Sequence, residues 1–154
     1  MPPLVAVVTG SKSDVESLQP LFEILKSLSI DYRFMVMSAH RTPEKVRQFA
    51  MKAREDGFEV IIAAAGMAAH LPGVIASWTT LPVIGIPLAG GELKGLDSLF
   101  SIVQMPAGIP VATVAVGSAG IKNAAYLAAE ILGLKYKEVQ LAYENYRLNL
   151  QGEK

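Results

Sequence analysis

The sequence predicts an α/β fold, a three-layer αβα sandwich built on a parallel sheet, and two patterns predict it. Five short runs rich in Val, Ile and Ala, at residues 4–9, 32–37, 60–65, 83–87 and 111–116, are apolar almost throughout rather than at every second residue. Such continuity marks strands covered on both faces. Between these runs lie segments with apolar residues at helical spacing, and a repeated order of strand, helix, strand requires right-handed crossovers. The product is an open sandwich of the flavodoxin-like or Rossmann-like kind, with its ligand at the carboxyl ends of the strands.

Taken in order, the first helical segment carries Val15, Leu18, Leu21, Phe22 and Leu25 on one face, and Ser13 followed by Glu16 three residues later reads as a capping box. After the second strand, Thr42, Pro43 and Glu44 read as an N-cap, an N1 proline and an early acidic residue, ahead of Val46, Phe49, Ala50 and Ala53 on one helical face. Residues 119–132 are Ala-rich and helical with Gly133 as a stop, and residues 136–150, with Leu141, Tyr143 and Tyr146, read as a last helix. Residues 96–100 and 104–106 read as packing segments without chemistry of their own.

Length and composition restrict the function classes. A chain of 154 residues is one ordinary domain, spanning 1–154. Fourteen basic and fourteen acidic residues leave no net charge, so there is no field to draw nucleic acid or an anionic membrane. With 51% of residues apolar and only 18% charged, polar surface is scarce, which predicts apolar faces buried between copies in a homo-oligomer. Residues 135–154 are the expected contribution to such a contact, as a C-terminal helix packing on a neighbouring subunit. The absence of cysteine excludes disulfides and thiolate chemistry. No uninterrupted apolar run reaches the ~18 residues of a membrane span. The first residues lack the basic segment and long apolar stretch of a signal peptide, so a cytoplasmic location is expected.

The topology rule selects the loops at residues 10–14, 38–42, 66–73 and 88–97 as candidate site loops. In the first, Gly10, Ser11, Lys12, Ser13 and Asp14 stand where a strand gives way to a helix: amides and hydroxyls suit an anion, and Asp14 suits sugar hydroxyls. The same residues also make a plain helix cap with an acidic first turn. The glycine spacings that bind ATP or NAD are missing. In the second loop, Ser38, Ala39, His40, Arg41 and Thr42 put a proton-exchanging imidazole beside a guanidinium suited to phosphate. Cations at the positive end of a helix are locally unfavourable unless an anion joins them, which favours a ligand over a purely structural role. The third, Gly66 to Gly73 with Met67, Ala68, His70 and Leu71, suits either close approach of backbone to a ligand or a tight packing turn. Two histidines far apart in sequence, without clustered Cys or carboxylates, match no metal-ligand spacing.

Four strings, Gly10-Ser11-Lys12-Ser13-Asp14, Ser38-Ala39-His40-Arg41-Thr42-Pro43, Ala68-Ala69-His70-Leu71-Pro72-Gly73 and Ser101-Ile102-Val103-Gln104-Met105-Pro106, together closely resemble the PurE family of purine biosynthesis, over nearly the whole chain. The resemblance implies a mutase that converts 5-(carboxyamino)imidazole ribonucleotide to 4-carboxy-5-aminoimidazole ribonucleotide. Arg41 after His40 and the Ala-Ala-His-Leu-Pro-Gly string look like this class rather than the class that adds free carbon dioxide to aminoimidazole ribonucleotide.

It further implies His40 as general acid and base, with Ser11, Asp14 and Arg41 on the ribose phosphate and Ser38 aiding the phosphate. Ser13, Gly66, Ala68, His70 and Leu71 complete the substrate-binding set, His70 lining the pocket as a structural donor. No cofactor or metal is required, since no redox step occurs, and the assembly expected is a homo-octamer. The alternatives are the carboxylase of the same family and a non-catalytic flavodoxin-like module that senses a nucleotide. In one place the chain departs from the mutase pattern, which usually has a glycine where Met67 stands. If that position requires positive φ, methionine costs of order 1 kcal/mol and displaces the loop.

Overall fold

The structure, a computed structural model, describes residues 4–152; the outermost residues of the expected domain, 1–3 and 153–154, lie outside that range. Strands β1 (Leu4–Thr9), β2 (Asp31–Val36), β3 (Phe58–Gly66), β4 (Val83–Leu88) and β5 (Ala112–Thr113) run parallel in the order β2-β1-β3-β4-β5. This is the flavodoxin-like order, whose switch point lies between β1 and β3. Helices α1 (Gln19–Ser27), α2 (Pro43–Lys52), α3 (Leu71–Trp78), α4 (Leu96–Val103) and α5 (Ser118–Gly133) follow the five strands in turn, and α6 (Lys137–Gly152) closes the described chain.

The two-residue period of a strand divides the interior in two. Val5, Val7, Val60, Ile62, Ile84 and Ile86 pack against α1 and α5, whereas Ala6, Val8, Ile61, Ala63 and Val83 pack against α2 and α3. That explains why the central strands are apolar at every position: each face has a helix layer to meet. Leu21 and Leu25 of α1 are fully buried, contributing about 1.5–3 kcal/mol each. Val46, Ala50 and Ala53 are buried as their spacing predicts, and Phe49 packs edge-on against Phe58.

Two local expectations are corrected. Ser13 and Glu16 do not form a capping box. Lys12–Asp14 is a 3₁₀ turn capped by Ser11, whose hydroxyl accepts from the Ser13 amide, and α1 starts only at Gln19. The reason is Pro20, which has no N–H to donate and whose ring would clash with the carbonyl one turn back, so it fits only the first turn of a helix. Thr42 does sit at the N-cap of α2, but its hydroxyl turns back, accepting from the Ser38 amide (2.9 Å) and donating to the Ser38 carbonyl (3.1 Å). The last strand has two ladder residues rather than the six expected. Gly85 and Pro87 of β4 both offer carbonyls to the following chain, at Val114 and Gly117, but Pro87 has no N–H to return a bond, and the regular ladder stops there.

Gly85 is where three elements converge on the sheet. A Cβ there would lie 2.4 Å from Ile102 Cγ2 of α4, 2.9 Å from Val111 Cγ1 and 3.3 Å from Pro72 Cβ of α3. The substitution Gly85→Ala is therefore expected to destabilise the fold by about 1–3 kcal/mol through overpacking, seen as a lower denaturant midpoint with an unchanged slope.

Candidate active site

The carboxyl ends of β1, β2, β3 and β4 open on a cavity of about 580 Å³, within the ordinary range for a small-molecule site. Gly10, Ser11 and Asp14 line it from the loop after β1, and Ser38, Ala39, His40 and Arg41 from the loop after β2. Opposite them stand Gly66, Met67, Ala68 and Leu71 after β3, with Leu88 to Gly91 after β4.

On the first wall the polar groups hold one another in place. Thr9, the fully buried last residue of β1, donates its hydroxyl to Asp14 Oδ2 at 2.6 Å and so aims the carboxylate. The hydroxyls of Ser11 and Ser13 lie 2.7 Å apart. Ser38 Oγ accepts from the Arg41 amide at 3.1 Å, and the Thr42 amide donates to the Ser38 carbonyl at 2.9 Å, which closes residues 38–42 into one turn. From that turn the Arg41 guanidinium reaches across to the Gly10 carbonyl at 3.2 Å. No carboxylate pairs with it among the described residues. Its positive charge is thus available to an anion held among Ser11, Ser38 and Arg41.

The two imidazoles join the walls, His40 from the loop after β2 and His70 from the loop after β3. His40 Nε2 and His70 Nδ1 are 2.8 Å apart, with the rings nearly perpendicular at 84°. A contact this short holds one proton between the two nitrogens, so one ring donates and the other accepts. His70 caps α3, where Ala69 N donates to the Met67 carbonyl and His70 N to the Ala68 carbonyl, each at 2.8 Å, in two successive three-residue turns.

Of the residues expected at the site, Ser11, Asp14, Ser38, His40, Arg41, Gly66, Ala68 and Leu71 border the cavity. Ser13 and His70 stand next to residues that border it, the Ser13 hydroxyl against that of Ser11 and the His70 ring against His40. Thr9 escaped sequence reasoning, while Thr42 and Gly91 lie in the loops it selected without a role assigned at the site. Thr9 had one available signal, a hydroxyl at the end of a strand that is otherwise apolar. At Met67 the backbone does take positive φ, at 52°, with the methionine in place. The expected strain is present.

Fold and site together define a flavodoxin-like α/β domain with a cavity of small-molecule size at the switch point of its sheet. The chain belongs to the AIR carboxylase family, whose sequence model matches residues 4–153. It is 61% identical to the N5-carboxyaminoimidazole ribonucleotide mutase of Saccharolobus solfataricus over 89% of this chain and 85% of that protein. It is 52% identical to the mutase of the same name from Thermotoga maritima, over 98% of this chain and 87% of the other. The crystal structure of Treponema denticola PurE superposes with a TM-score of 0.87 at 32% identity, covering 97% of this chain and 93% of that one.

Removing the Thr9 hydroxyl tests the orientation of Asp14. Thr9→Val is expected to leave the fold intact and to weaken binding of a ribose-phosphate ligand about fivefold, for the ~1 kcal/mol of one hydrogen bond. Titration calorimetry measures it.

Proposed function

We propose that the chain is an N5-carboxyaminoimidazole ribonucleotide mutase, an isomerase of purine biosynthesis that moves a carboxylate from the exocyclic nitrogen of its substrate to a ring carbon. The observation that carries the reading is the placement of His40, braced by His70, on the same cavity as Ser11, Asp14 and Arg41. Proton chemistry thereby faces an anion and sugar site across a space of mononucleotide size. The names of the relatives from Saccharolobus solfataricus and Thermotoga maritima agree with it.

In this reading Arg41, Ser11, Ser13 and Ser38 take the phosphate, and Asp14, aimed by Thr9, accepts from ribose hydroxyls. The imidazole base then lies toward His40, against the small residues Gly66 and Ala68 and the side chain of Leu71. Protonated His40 gives its proton to the carbamate nitrogen, the nitrogen–carbon bond breaks, and carbon dioxide is released beside the neutral aminoimidazole. The ring carbon attacks it, a carbon–carbon bond forms, and the ring proton returns to His40. The protons balance, so one imidazole serves both halves. His70 acts as a positioning residue, since its hydrogen bond fixes the orientation of the His40 ring. None of these steps transfers electrons to an acceptor, so the reading calls for no cofactor.

The remaining surface supports an assembly of several copies, which we take to be a homo-octamer in the cytoplasm. Sixteen residues of α6 bury only Val139, while Leu141 and Leu148 stay exposed, as do Phe100 and Val103 on α4. Apolar helix faces of this extent fit a subunit contact, with α6 packing on a neighbour. Light scattering at micromolar concentration is expected to give eight times the mass of one chain, and a monomer would contradict the assembly.

His40→Asn is expected to keep the fold and ligand binding while lowering turnover of the carbamate substrate by roughly a hundred- to ten-thousandfold. The assay follows appearance of the carbon-carboxylated isomer. Near-normal activity of the variant would reject the role of His40. Efficient conversion of aminoimidazole ribonucleotide with bicarbonate at ordinary concentration would instead favour a carboxylase.

A further inference from the structure

The reading above needs free carbon dioxide to wait in the site between two bond changes, and the inference drawn here rests on that reading. Carbon dioxide is small and uncharged, so the polar groups that hold the phosphate have little grip on it. Only walls keep it in. Met67 is the residue whose geometry bears on those walls. Its φ of 52° lies in the left-handed region that favours glycine, yet the residue is 60% exposed, so burial within the chain does not account for a strained methionine there. The two tight turns that carry the chain from Met67 to His70 are made by backbone groups alone, which glycine would supply as readily. The part that needs an account is the side chain.

That side chain reaches out of the loop after β3 to the loop after β4. A Cβ built on Gly91 would meet Met67 Cγ at 3.5 Å and Met67 Sδ and Cε at 3.8 Å each, so the thioether lies along the Gly91 backbone. Gly91 itself takes a φ of 63°, and both residues line the cavity. One flexible apolar chain thus lies against Gly91 beyond the point where Gly66 and Leu88 pair in the sheet, on the side of the cavity that carries Gly66 and Ala68.

We propose that Met67 governs carbon dioxide retention: its side chain closes the gap between the loop after β3 and Gly91, so that the molecule released from the nitrogen is the one that returns to the ring. Losing the side chain leaves the acid–base step in place but lets the intermediate exchange with the medium.

Three variants separate this from a purely backbone role. Met67→Leu keeps both strain and apolar reach, Met67→Ala keeps the strain without the reach, and Met67→Gly removes both. Each is incubated with unlabelled carbamate substrate in ¹³C-bicarbonate buffer with carbonic anhydrase, and ¹³C in the carboxylate of the product is read by mass spectrometry as a fraction of product formed. Thermal unfolding is followed in parallel. Met67→Ala and Met67→Gly are expected to incorporate several-fold more label than the unsubstituted protein, Met67→Leu to stay near it, and Met67→Gly to melt no lower. Label incorporation by the Ala and Gly variants equal to that of the unsubstituted protein would overturn the proposal, as would an increase confined to Met67→Gly, which would assign the effect to the backbone. Failure of the unsubstituted protein to form any carbon-carboxylated product would instead bring down the functional reading and this inference with it.

Discussion

The hydrogen bond between His40 and His70 is the interaction on which the site depends, because it joins two loops whose strands are not neighbours. β1 lies between β2 and β3, and adjacent strands run about 4.8 Å apart, so the loops after β2 and β3 begin roughly a strand's width to either side of Gly10. Two imidazoles meeting above the end of β1 span that gap. The order of strands thereby shapes the site: a β2-β1-β3 arrangement sets the loop that carries His40 opposite the small-residue loop, with the first loop between them.

Around that bond the site is organised before any ligand arrives. Thr9 aims Asp14, Thr42 and Ser38 close the second loop, and the Gly10 carbonyl steadies Arg41. Every buried side-chain nitrogen or oxygen among the described residues has a partner. Groups held this way lose little freedom on binding, so more of the interaction energy goes into orienting the reacting atoms. The rigidity comes from below. Strands β1, β3 and β4 are buried nearly throughout, and Ser98 of α4, itself fully buried, donates to the Leu88 carbonyl at 2.9 Å and ties the last site loop to a helix. At the far end of the sheet, Lys135 and Tyr136 both donate to Glu59, which anchors the turn between α5 and α6 to β3.

Much of this architecture was legible from the chain because strands covered on both faces leave a plain mark. Residues 60–65 and 83–87 could not face water on either side, and both are buried strands of the sheet. The helix after β2 was equally plain, since Thr42, Pro43 and Glu44 have a local reason to start one. The errors came where a local pattern met a stronger constraint. Ser13 and Glu16 have the spacing of a capping box, but Pro20 governs where α1 begins. Val111 to Val116 have the composition of a strand, but the partner residue, Pro87, lacks the donor that a longer ladder needs. His70 was legible as a residue near the site, though not as the brace of His40, because thirty residues of intervening chain hide that contact.

By itself, then, the sequence determined the αβα class and the loops that border the cavity, since periodicity, helix starts and side-chain chemistry are local properties. Only the tertiary structure decided which strand lies beside which, that Thr9 orients Asp14, that His70 meets His40 and that Met67 bridges to Gly91. Those are contacts between distant segments, and hydrophobic patterning says that a strand is buried without saying which neighbour it lies against.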